Sequence, residues 1–123
     1  MSGVEGLFAP AGGWVVKIID LSAPAEDNVL EEVKGFLTLM QANEFARRYV
    51  RDSLEHCRVA GLSAPEILAN WMAFGEDAVV TDANEGGFLS APEIGNWAKF
   101  KADAEERNWR ALDPRRIAGG EDE

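Results

Sequence analysis

The sequence predicts a small α+β domain in which two or three short strands pack against about three helices. Three observations carry that expectation. A β-branched, apolar run spans Gly13 to Leu21. The stretch from Ala42 to Cys57 repeats apolar residues three and four apart, and the hexapeptide Leu-Ser-Ala-Pro-Glu-Ile occurs twice, each time ahead of a helix-like pattern. With 123 residues, 46% of them hydrophobic, the chain can bury one core and is too apolar for wholesale disorder. Residues 1–12 read as an irregular lead-in, 13–114 as a single α+β domain, and 115–123 as a flexible acidic tail.

Gly13–Leu21 is apolar on both faces, as a strand buried in a sheet requires. Ser22–Asn28 has turn chemistry. Val29–Phe36 has helical spacing at Val29, Val33 and Phe36, but Gly35 and the run into Leu37 favour a second strand paired back onto the first. Thr38 and Gln41 have the form of a capping box. A helix should follow to about Val59, its apolar stripe being Ala42, Phe45, Ala46, Tyr49, Val50, Leu54 and Cys57. The two hexapeptides, Leu62–Ile67 and Leu89–Ile94, each hold Ser-x-x-Glu with proline in the first turn, so each should cap and start a helix that turns Ile, Trp and Phe inward. The first should end at Gly75 and the second near Arg107, with a short strand over Glu76–Thr81 between them. Trp109 and Leu112 should pin the end of the domain to its body.

Twenty-two acidic against twelve basic residues give a net charge of −10, which argues against direct nucleic-acid binding or wholesale attraction to an anionic membrane. The longest apolar stretch, Trp14–Ile19, is interrupted by Lys17 and is far too short to span a bilayer. The first residues lack the basic end and apolar run of a secretory signal, and one cysteine forms no internal disulfide, so a cytoplasmic location is expected.

The sharpest motif is Asp82–Glu93, Asp-Ala-Asn-Glu-Gly-Gly-Phe-Leu-Ser-Ala-Pro-Glu. It resembles an EF-hand calcium loop, and the resemblance implies Asp82, Asn84, the Phe88 carbonyl, Ser90 and Glu93 as ligands. Three features weigh against calcium. Gly86 stands where a side-chain ligand is usual, the incoming segment reads as strand, and the Leu-Ser-Ala-Pro-Glu-Ile half recurs at Leu62 without any loop pattern before it. A plain Asn/Gly turn before a helix cap is the preferred reading, with calcium as the alternative and no other cofactor expected.

His56 and Cys57 are the only residues of their kinds, but neighbours on a helix point about 100° apart and do not form a facing pair. Arg47, Arg48, Arg51 and Arg58 share the long helix and offer a basic face to a partner, while Glu76 and Asp77 belong to an acidic stretch. No nucleophile, base and oxyanion site assemble in the sequence. The expected function is therefore a small acidic, non-enzymatic regulatory or accessory protein: an inhibitor, adaptor or minor complex subunit that binds another macromolecule. Arg47, Arg48, Arg51, Arg58, Glu76 and Asp77 are its candidate contacts. An inhibitor whose acids stand in for phosphates is one version. A calcium module at 82–93 and a small enzyme using acids near 76–82 are the alternatives.

Overall fold

The computed structural model describes residues 10–83 and 86–118. Strand β1 (Trp14–Asp20) is followed by a 3₁₀ turn at Ala25–Asp27 and by strand β2 (Val29–Phe36). Helix α1 (Leu39–His56) and helix α2 (Ala64–Phe74) lead to strand β3 (Glu76–Val80). Helix α3 (Ala91–Lys99), two 3₁₀ turns (Glu105–Arg107 and Trp109–Leu112) and the short helix α4 (Pro114–Ala118) complete the chain. The α+β class is as expected. Among the described residues, no helix is long and apolar enough to cross a membrane.

The three strands form one antiparallel sheet in the order β2-β1-β3. The most apolar strand thus takes the centre, where both of its edges are hydrogen-bonded. Trp14, Val16 and Ile18 of β1 are buried on one face beside Val33, Phe36, Ala78 and Val80 from its neighbours. The β1–β2 register shifts between Trp14 and Val16, where Gly35 adopts φ +98° and lets β2 carry an extra residue. Gly13 lies against that bulge with φ +91°, and a Cβ on it would sit 2.8 Å from Gly35 backbone.

Helix α1 lays Ala42, Phe45, Ala46, Val50 and Leu54, all fully buried, on the sheet face. It starts where Thr38 accepts the Gln41 N–H, and Thr38 is the one arm of the expected box that forms. It ends at His56 rather than near Val59, because the Cys57 N–H closes the last turn onto Glu55 and Leu54 carbonyls. Phe45 meets Phe36 and Trp109 at centroid distances of 5.0 and 5.8 Å, so Trp109 ties the end of the domain to the core as expected.

The two hexapeptide copies behave differently. Ser63 and Glu66 complete a reciprocal capping box that starts α2. Ser90 takes helical backbone angles and makes no cap; its hydroxyl donates to Asp77 instead. The second helix also stops at Lys99, well short of Arg107. Arginines of α1 and of the turn after it capture the carbonyls at its end: Arg58 donates to Trp97 and Ala98, and Arg51 donates to Phe100. Beyond them, Asp103 and Glu106 exchange side-chain and backbone bonds and begin a separate 3₁₀ turn. The segment expected to form the acidic tail opens with α4, where Arg115 binds buried Asp113 and reaches Glu31 of β2. The remaining tail residues, 119–123, and most of the lead-in lie outside the described residues.

Glu55 anchors this arrangement. Its side chain is 2% exposed, receives Arg58 at 2.7 and 2.9 Å, and accepts the Ala102 N–H at 3.1 Å. Burial pushes its pKa up, but Arg58 and the Ala102 amide outweigh that and hold it below the ordinary 4.5. Because the folded value is the lower one, ionised Glu55 stabilises the fold above the ordinary value, and this contribution is lost as pH falls through the folded pKa. Arg58→Ala would leave a buried carboxylate unpaired and should cost about 3 kcal/mol in denaturant unfolding at neutral pH. The loss should shrink on acidification below 4.5. An unchanged midpoint at neutral pH would contradict this reading of the pair.

Candidate functional site

The polar face of α1 is covered by the segment that follows α3. Arg48 pairs with Glu44 and Glu105 and donates to the Asn108 carbonyl. Arg51 is buried, stacks 5.0 Å from the Trp97 ring centroid and pairs with Glu106; its Nε has no hydrogen-bond partner among the described residues. Arg58 is held by Glu55. Of the four arginines expected to meet a partner, Arg47 has the most open side chain (38% exposed), and it pairs with Glu44 and Glu93 while lying over Phe88.

A hollow of about 440 Å³ opens beside this face. Tyr49, Asp52, Ser53 and His56, spaced one helical turn apart or less on α1, form one wall together with Cys57. Asn70 and Phe74 of α2, Gly75, Glu76, Trp109 and Arg110 form the rest. The structure therefore gathers the histidine, the cysteine and the carboxylates of Asp52 and Glu76 around one hollow. Their spacing along α1 was a readable signal, but Glu76 and Trp109 arrive from distant segments.

The Tyr49 hydroxyl donates to Glu76 Oε1 at 2.5 Å, and burial together with that carboxylate pushes the phenol pKa up. Ser53 Oγ accepts the Glu76 N–H at 2.8 Å. Asp52 accepts from Arg107 Nε at 2.8 Å and from the Trp109 indole at 3.1 Å. Burial raises the Cys57 thiol above its ordinary pKa, which keeps it protonated and a poor nucleophile. His56 is exposed at the rim. Among the described residues, no hydrogen bond joins His56 to Ser53 or Cys57, so no base is aligned on a nucleophile.

Glu76 and Asp77 are adjacent on β3 and so point to opposite sides of the strand. Glu76 meets Tyr49, whereas Asp77 accepts from Ser90. They do not form a working carboxylate pair.

The expected calcium loop lies at the far end of β3. Asp82 is exposed with φ 61°, and Asn84 lies outside the described residues. Phe88 is buried, and its N–H donates to Asn43 Oδ1 while Asn43 Nδ2 donates to the Gly86 carbonyl, tying the loop to α1. Ser90 faces Asp77, and Glu93 faces Arg47. Among the described residues, no group of three or more His, Cys, Asp or Glu side chains is placed to hold a metal ion.

Two further hollows are mainly apolar. One, of about 540 Å³, lies among Phe36, Leu37, Gln41, Leu112, Pro114 and the stems of Lys34 and Arg115. The other, of about 450 Å³, lies between α2 and α3. Comparison with family models, curated proteins and solved structures finds no match to this chain.

The state of Cys57 can be checked directly. Its thiol should react with a disulfide reagent far more slowly in the native protein than in denaturant, because it is both buried and protonated at neutral pH. Equal rates in both conditions would show that Cys57 is open and ordinary in acidity, and a faster native rate would show an activated nucleophile.

Proposed function

We propose that this is a small acidic regulatory or accessory protein that acts by binding another macromolecule, without chemistry of its own. One observation carries the reading. Tyr49, Asp52, Ser53 and Glu76 around the polar hollow are engaged in holding the fold and no base is aligned on a nucleophile there, while large apolar side chains stand open elsewhere. Leu37, just before the Thr38 cap, and Met40, in the first turn of α1, are 77% and 80% exposed. Leu37 also borders the apolar hollow beside Phe36 and Leu112. Exposed apolar side chains beside a groove are the usual anchors of a protein contact.

This reading moves the contact from the arginines to the start of α1, since Arg48, Arg51 and Arg58 serve the fold. The net charge of −10 favours a basic partner, which long-range attraction would steer toward the protein.

Affinity capture at low salt, followed by binding measurements with the identified partner, tests the proposal. Affinity should fall as salt rises, because charge attraction is screened within about 10 Å at 0.1 M ionic strength. The double substitution Leu37→Asp and Met40→Asp should weaken binding about tenfold or more with the melting temperature unchanged. A partner indifferent to both salt and these substitutions would overturn the proposal.

A further inference from the structure

Asp77 is a half-buried acid without a counter-ion among the described residues. It turns away from Glu76 into the apolar hollow of about 450 Å³ between α2 and α3, whose walls include Leu21, Leu68, Trp71 and Ile94. Its Oδ1 accepts the Ala78 N–H at 2.8 Å and its Oδ2 accepts the Ser90 hydroxyl at 3.1 Å. Among the described residues, no Lys, Arg or His lies within ion-pair distance of it. A carboxylate drawn partly out of water gains from a positive partner. The start of α3 beside Ser90 supplies at most about half a positive charge. Burial accordingly pushes the Asp77 pKa up.

The sequence also departs from its own pattern here. The first hexapeptide uses its serine to cap a helix, while the second gives up that cap and aims Ser90 at Asp77. The result is an oriented carboxylate in an apolar pocket, within the size range of about 300–1,000 Å³ usual for small-molecule sites.

We propose that this hollow binds a small organic cation, a primary ammonium on a compact apolar stem. The ammonium pairs with Asp77, and the stem lies against Leu21, Leu68, Ile94 and the Trp71 ring. Ser90 is a positioning residue that holds the carboxylate.

Benzylamine is a suitable probe, with benzyl alcohol and benzoate as neutral and anionic controls. Titration followed by amide NMR should give saturable shifts at the Trp71 indole N–H and at the Leu21 and Ile94 amides. Benzoate should give none, and benzyl alcohol should bind about tenfold more weakly. Asp77→Asn should weaken benzylamine about tenfold and bring it level with benzyl alcohol, with far-UV circular dichroism confirming the fold. Leu68→Trp, which fills the hollow without touching the carboxylate, should block both ligands and serves if the Asp77 variant fails to fold. Absence of saturable shifts at about 10 mM benzylamine would overturn the proposal. So would equal binding of benzyl alcohol to the unaltered protein, or benzylamine binding unaffected by both substitutions.

Discussion

The pair formed by Glu55 and Arg58 holds the second half of this protein in place. The sheet and α1 make an ordinary one-faced core, but the chain from Trp97 to Arg110 has little regular structure of its own. Its backbone groups need partners, because buried carbonyls and amides left without them are costly. Arg58 supplies them to Trp97 and Ala98, Glu55 to Ala102, and Arg51 to Phe100. Side chains on α1 and just beyond its end thereby do for an irregular segment what a neighbouring strand would do in a sheet.

This arrangement explains why the arginine-rich helix is not a free basic surface. A guanidinium offers five donors in a rigid fork, so one arginine can bind a carboxylate on one side and two carbonyls on the other. Arg58 does so. Arg51 adds a contact across the Trp97 ring, whose other neighbour is Phe88, 6.1 Å away and nearly parallel. The arrangement binds α1, α3 and the incoming loop into one unit. It also brings Arg107 and Trp109 onto Asp52, which closes one side of the polar hollow.

Local features were legible in the sequence and distant ones were not. The β-branched run from Trp14, the Thr38 start and the Ser63–Glu66 box each depend on residues a few positions apart, and each formed. The second hexapeptide carries the same letters, yet Ser90 makes no cap, because Asp77, thirteen positions earlier, draws its hydroxyl away. The helix expected to reach Arg107 stops at Lys99 because its end is taken by arginines some forty positions earlier, which no local pattern reveals. The charged face of α1 was expected to meet a partner because periodicity shows which side of a helix is polar, not what covers that side. For the same reason the sequence did not place Glu76 beside Asp52, His56 and Cys57.

Hydrogen exchange at the Ala102 amide tests this account most directly. The amide lies in a stretch without helix or strand, and among the described residues it donates to Glu55 alone. If the buried pair organises the segment, this amide should be protected nearly as well as the core amides of α1, opening only with the whole fold. Exchange at the rate of an unstructured loop would mean that the segment is held by something other than Glu55 and Arg58.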